Sequence, residues 1–277
     1  AANTVQWGEQ MSGVAAADIE KFAHMYAHAN KAFLCYGMGI TQYAHGTNNV
    51  IALSNLALTC GHIGHEGAGI NPLRGQNNVQ GACDMGCLPN VYPGYQSTDD
   101  AAVRAKFENA WHAHQSTEAG MTSLQMTKSA ARGEFSALMI LGEDPVVTDP
   151  DQHQVQHALS QLDFLVVVEL TLTETAKLAD VVLPAAAFSE KDGTFTNCER
   201  RVQRVRKAVN APGEAMEDWR MLSQLAAKMG YDGMRWNNAG EIFDEMVSLS
   251  PMFSAMSWQR LQNQNFQWPC DATHPDG

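Results

Sequence analysis

Residues 135–184 read FSALMILGEDPVVTDPDQHQVQHALSQLDFLVVVELTLTETAKLADVVLP, and the periodicity of this stretch decides the fold class. Phe135 to Leu141 predicts a buried strand ending in Gly142-Glu143-Asp144-Pro145, and Asp151 to Leu162 predicts a helix with Val155, Ala158, Leu159 and Leu162 on one face. Phe164 to Glu169 reads as a second strand, Leu172 to Leu178 as a short helix, and Asp180 to Leu183 as a third strand closed by Pro184. Strands alternating with helices predict an α/β fold, a Rossmann-like parallel sheet with flanking helices and right-handed crossovers. Ligands of such sheets bind at the carboxyl ends of the strands. Glu143 and Asp144 follow the first strand, Glu169 ends the second, and Thr148, Thr171 and Thr173 stand beside them. Acidic groups there suit hydroxyl or N–H donors of a ligand. The plainer alternative is that Asp144 caps the turn at Pro145 and Thr173 caps the next helix.

The N-terminal part repeats the pattern. Ile19, Phe22, Ala23 and Tyr26 recur at helical spacing within Ala15 to Asn30, and Ala32 to Tyr36 suits a buried strand. It leads into Gly37-Met38-Gly39-Ile40-Thr41-Gln42 and a helix over Thr47 to Cys60 that Gly61 is placed to end. Strand, glycine turn and helix form a phosphate-binding arrangement, here incomplete because it reads G-x-G-x-x-Q. His62 to Gly69 reads as a flexible, turn-rich link. His62 and His65 lack a third ligand, as does the pair Cys83 and Cys87, so the surface or supporting reading outweighs a metal site.

Asn71 to Gln96, NPLRGQNNVQGACDMGCLPNVYPGYQ, shows neither helical nor strand periodicity, and Arg74 and Asp84 are its only charged side chains. A long segment so poor in charge packs against something polar, because its backbone groups still need partners. Arg74 is the only Lys or Arg between Lys31 and Arg104. Its planar fork matches a carboxylate or phosphate, the alternative being an arginine satisfied by backbone carbonyls.

The run NPLRGQNNVQGACDMG, with YGMGITQ before it and LGEDP after it, resembles the large subunit of molybdenum- or tungsten-dependent formate dehydrogenases, members of the dimethyl sulfoxide reductase family. The match extends along essentially the whole chain. Related nitrate reductases carry a TGQP-like run at this place and lack the arginine. The resemblance implies a bis-molybdopterin guanine dinucleotide holding Mo or W. It assigns Met38, Gly39 and Gln42 to one dinucleotide, and Gly142, Glu143, Asp144, Thr148, Glu169, Thr173 and Asp218 to the other; Gln76, two residues after Arg74, is placed to line the same cavity or to hold a pterin. Arg74 becomes the anchor of formate in its two-electron oxidation to CO2, or the reverse. Implied partners are the remainder of the catalytic subunit and electron-transfer subunits of iron-sulfur, hydrogenase or diaphorase type.

The rest of the chain adds structure. Ala101 to Trp111 and Met121 to Ala131 predict helices. Phe188 to Val209 predicts a small β-rich excursion turning at Asp192-Gly193, and Arg200, Arg201, Arg204, Arg206 and Lys207 form a basic cluster read as a solvated face or a contact with the rest of the enzyme. Helices follow over Glu217 to Met229 and Ala239 to Leu249, and an irregular tail runs from Trp258. The expected domains are 1–76 and 77–187, each α/β, and 188–277, belonging to an iron-sulfur domain region.

Composition narrows the class. With 277 residues, 45% hydrophobic and 17% charged, the chain suits one large or two smaller domains. A formal net charge of -12 argues against nucleic acid, and no apolar run approaches the ~20 residues of a bilayer span. The six scattered cysteines suggest no disulfide framework, so the expected compartment is the cytoplasm, with the periplasm as alternative. Starting at Ala1, the chain reads as a piece of something longer. It shows neither the cysteine spacing of a [4Fe-4S] cluster nor the cysteine or selenocysteine that would ligate the metal, so alone it is not expected to turn over formate. The other readings are a non-catalytic binding or scaffold module of a respiratory complex and an oxidoreductase acting on another oxyanion.

Overall fold

A computed structural model describes residues 3–277, which fall into two compact units, one reaching to Asn77 and the other spanning Asn78–Gly277. The first contains α1 (Val5–Ser12), α2 (Ala16–His28), β1 (Phe33–Tyr36), α3 (Met38–Thr41), α4 (Gly46–Thr59) and β2 (Gly69–Pro72). β1 and β2 pair in parallel, from Phe33 opposite Gly69 to Tyr36 opposite Pro72. The segment expected to be only a link therefore ends in a strand. Ile70 is its one β-branched residue, so local preference is weak and pairing decides it. The link also has a buried anchor: His62 is 3% exposed, donates from Nε2 to the Tyr26 carbonyl at 2.7 Å and meets the Tyr26 ring edge-on.

The expected glycine turn takes another form. α3 begins directly after Gly37, and α4 starts only at Gly46, where a Cβ would stand 2.0 Å from the Thr41 carbonyl oxygen. A side chain at Gly46 would push the two helices apart.

The second unit opens with α5 (Val79–Asp84), the hairpin β3 (Val91–Tyr92) and β4 (Gln96–Ser97), α6 (Ala101–Trp111) and α7 (Ser123–Ala131). The run read as non-periodic thus holds a short helix and a hairpin, both too short to show periodicity. Thr122 and Gln125 form a capping box that starts α7, and the Asp100 carboxylate caps α6 at the Ala102 and Val103 N–H groups.

β5 (Ala137–Leu141), α8 (Pro145–Thr148), α9 (Gln152–Ser160), β6 (Phe164–Glu169), a 3₁₀ turn at Ala176–Leu178 and β7 (Val181–Pro184) build the parallel sheet, in order β5-β6-β7. Its core is Val146, Val155, Leu159, Leu165, Val167 and Ala176. The fold is α/β with parallel sheets and flanking helices, together with small antiparallel sheets.

β8 (Gly193–Thr196) and β9 (Arg201–Val205) form the antiparallel excursion, followed by α10 (Asp218–Lys228), α11 (Ala239–Leu249) and β10 (Phe266–Gln267). The turn lies at Asn197–Arg200 rather than Asp192-Gly193: Gly193 pairs with Val205, and the Asn197 carboxamide accepts from the Glu199 and Arg201 N–H groups. Arg204 is not on a solvated face. Its side chain is 7% exposed, its guanidinium lies 3.5 Å from the centroid of Trp258, and it donates to the Gly193 and Val205 carbonyls. β9, α11 and the segment that follows α11 share a second core of Val202, Phe243, Met246, Phe253, Met256, Leu261, Phe266 and Cys270. No helix among the described residues is long and apolar enough to cross a membrane.

Candidate functional site

In the first unit, the two segments leaving the sheet start side by side. Tyr36 and Pro72 are partners at the ends of β1 and β2, and Leu73 N–H donates to the Tyr36 carbonyl at 2.7 Å. Gly37–Gln42 and Leu73–Gln76 therefore emerge from one carboxyl edge, close enough that a Cβ on Gly75 would lie 3.8 Å from the Met38 methyl. Met38, Gly39, Gln42, Arg74 and Gln76 are all exposed along this edge. Arg74 and its neighbour Leu73 are exposed on this loop, and a guanidinium so placed has the planar donor geometry that matches a carboxylate or phosphate.

In the second unit, the carboxyl ends of β5, β6 and β7 carry the other predicted residues. Gly142 follows β5, donates its N–H to the Val168 carbonyl at 2.9 Å and holds φ at 64°, a conformation glycine adopts without strain. No atom lies within 4 Å of where its Cβ would be, so the backbone there is open to close approach. Glu143 is exposed and accepts from the Thr148 hydroxyl at 2.7 Å. Asp144 Oδ1 accepts from both the N–H and the hydroxyl of Thr175, at 2.9 and 2.6 Å, and the Thr175 hydroxyl accepts from Val146 N–H at 3.2 Å. Thr175 is fully buried, so this contact clasps the loop after β5 to the loop after β6. Asp149, close to Glu143, has its carboxyl raised by burial and by that neighbouring charge.

Glu169, at the end of β6, accepts from Leu170 N–H at 2.7 Å, and the Thr173 hydroxyl caps the turn by accepting from Ala176 N–H at 3.1 Å. Asp218 reaches the same edge by a route no local pattern reveals. Met216 bridges to Ala185 just past β7, donating to the Pro184 carbonyl and accepting from Ala186 N–H, and α10 begins two residues later. The Asp218 carboxylate pairs with Lys191, and the adjacent Trp219 indole N–H is buried without a partner. Chemically this edge is a row of carboxylate and hydroxyl acceptors beside an open glycine, suited to N–H and O–H donors of a planar or sugar-bearing ligand.

Residues 10–228 match the molybdopterin oxidoreductase family. The chain belongs to that family. Molybdopterin oxidoreductases with high identity include the F420-dependent formate dehydrogenase 2 subunit alpha of Methanococcus maripaludis, 50% identical over 276 residues, which are 99% of this chain and 40% of the relative. The F420-dependent formate dehydrogenase subunit alpha of Methanocaldococcus jannaschii is 49% identical over 98% of the chain and 40% of its own length. Formate dehydrogenase H of Escherichia coli is 42% identical over 96% and 37%. The chain thus spans about two fifths of the length of these relatives. The fold is shared with acetylene hydratase from Pelobacter acetylenicus, at a TM-score of 0.69 and 18% identity over 95% of this chain and 39% of that one. Family membership implies a molybdopterin cofactor for the complete protein.

The structure groups Met38, Gly39, Gln42, Arg74 and Gln76 in one unit, and Gly142, Glu143, Asp144, Thr148, Glu169, Thr173 and Asp218 in the other. Thr175 and Lys191, which hold Asp144 and Asp218, were not singled out from sequence. The repeated threonines of LTLTETAK carry a signal for the first; nothing local marks the second.

Proposed function

We propose that this molybdopterin oxidoreductase chain is the central part of a formate dehydrogenase catalytic subunit. The observation that carries the reading is identity of 42–50% over 96–99% of the chain to three proteins named as formate dehydrogenases. In this reading a bis-molybdopterin guanine dinucleotide with Mo or W, when bound, supplies the two-electron redox chemistry, and the protein supplies binding, orientation and electrostatics. Met38, Gly39, Gln42 and Gln76 hold one dinucleotide. Gly142, Glu143, Asp144, Thr148, Glu169, Thr173 and Asp218 hold the other, the carboxylates accepting from guanine N–H groups or ribose hydroxyls. The open space at Gly39 and Gly142 and the row of acceptors support this fit, because a Cβ at either glycine would narrow the approach to the backbone.

Arg74 binds the formate carboxylate, offsetting the cost of drawing an anion out of water. Its position on the loop after β2, next to the loop after β1, supports placing the substrate beside the first dinucleotide. The [4Fe-4S] cluster, the metal ligand and the electron-transfer subunits belong to other parts of the complete assembly, which this reading places in the cytoplasm.

The test is Arg74→Lys in the complete enzyme. Loss of the fork is expected to lower kcat/KM for formate about 100-fold, worth ~3 kcal/mol of transition-state stabilisation, with metal and pterin content unchanged. Unaltered turnover and KM at full cofactor content would overturn the role of Arg74.

A further inference from the structure

A second cavity in the unit Asn78–Gly277 takes no part in the strand-end site. It has a volume of about 510 Å³, within the range of small-molecule sites. Its walls are apolar and aromatic, with Trp111, Tyr231, Met234, Trp236, Ile242 and Met246 among them. Glu245 is the one charged residue lining it.

The walls are fixed from behind by hydrogen bonds. Trp111 Nε1 donates to Glu245 Oε1 at 3.0 Å and Trp236 Nε1 to Oε2 at 2.7 Å, while the Tyr231 hydroxyl donates to the Trp111 carbonyl at 2.6 Å. One carboxylate therefore locks two indoles drawn from α6 and from the loop before α11. Each carboxylate oxygen can accept more than one hydrogen bond, so Glu245 retains acceptor capacity after both indole bonds are made. Glu245 is half-buried and has no Lys, Arg or His within ion-pair distance among the described residues. A negative charge with no cation beside it on the wall of an apolar, aromatic cavity attracts a positive group, and the aromatic walls attract cations as well.

We propose that this cavity is a binding site for a small hydrophobic organic cation, an aryl- or alkyl-ammonium whose positive group pairs with Glu245 while its apolar body lies against Trp111, Trp236, Met234 and Ile242. The charge selects the ligand, and the preformed walls provide the contact area.

The probe is benzyltrimethylammonium, compared with its neutral isostere neopentylbenzene, on the full-length protein labelled with 5-fluorotryptophan. Binding of the cation is expected to shift the fluorine signals of Trp111 and Trp236 saturably, with the isostere at least about tenfold weaker, ~1.4 kcal/mol. Glu245→Gln is expected to remove most of that preference. Because the variant also disturbs the indole bonds, the wild-type comparison of cation with isostere is the deciding measurement. Equal affinities would overturn the charge selection, and the absence of saturable shifts with the cation would overturn the site.

Discussion

The run NPLRGQNNVQGACDMG divides into two halves with opposite fates. Leu73 to Asn77 is exposed, leaves the end of β2 and carries Arg74. Asn78 to Asp84 turns inward: Gln80 is 5% exposed and Asp84 0%. Asp84 Oδ1 accepts from Gln80 Nε2 at 2.8 Å and from the Tyr95 hydroxyl at 2.9 Å, and Oδ2 accepts from Trp268 Nε1 at 2.9 Å. Asn78 Oδ1 accepts from Thr196 N–H at 2.9 Å. The two charges of one low-charge run thus do different things. The arginine stands at a strand end facing outward, and the aspartate ties α5 to the core around Phe253 and Phe266. A charge in such a run points to a ligand only when the fold leaves it exposed.

The sharpest way to break this comparison is within the core that the second half joins. Phe253 is 0% exposed and packs edge-on against Trp268. Phe253→Ala is expected to cost about 4 kcal/mol, read as a lower urea midpoint by tryptophan fluorescence. An unchanged midpoint would mean that the inward half joins no tight core.

Asp84→Asn comes next, at about 2 kcal/mol, because the amide N–H₂ meets donors where the carboxylate accepted. Its pH dependence is diagnostic. Burial raises the Asp84 carboxyl above its ordinary value despite the donors around it. A group raised in the folded state adds stability that is full below its unfolded value and fades as pH rises through the folded one. The advantage of wild type over Asp84→Asn is therefore expected to shrink from pH 4 to pH 7, and an advantage that grows would show the carboxyl to be held low instead.

The smallest expected effect belongs to the outward half. Arg74→Ala should change stability by no more than ~0.5 kcal/mol, measured at the same urea midpoint. A loss of several kcal/mol would give Arg74 a structural role in place of the proposed one in ligand binding.

Much of the parallel sheet was legible locally. Phe135 to Leu141 and Phe164 to Glu169 read as strands and fold as Ala137–Leu141 and Phe164–Glu169, and Asp151 marked the start of α9, its carboxylate accepting from Gln154 N–H at 3.2 Å. The caps of α6 and α7 lie within three residues of the groups they satisfy. At the site, the positions of Glu143, Asp144, Thr148 and Glu169 followed from the rule that a parallel sheet presents its strand ends to ligands. What they touch did not follow. Asp144 finds Thr175 across 31 residues and Asp218 finds Lys191 across 27. The basic cluster misled because alternation along β9 looks the same whether Arg204 faces water or the ring of Trp258.

The amino-acid order thus specified what is local: which segments are strands or helices, where they are capped, and that a lone arginine sits in a run almost without charge. Those features depend on periodicity and on bonds spanning a few residues. The pairing of β1 with β2, the bridge that carries Asp218 to the sheet edge and the burial of Asp84 were settled only by folding. Each joins distant segments, as when Trp268 donates to Asp84 across 184 residues. Such a partner becomes worth its ordering cost only once water has been excluded from both sides, a condition that no short window of sequence encodes.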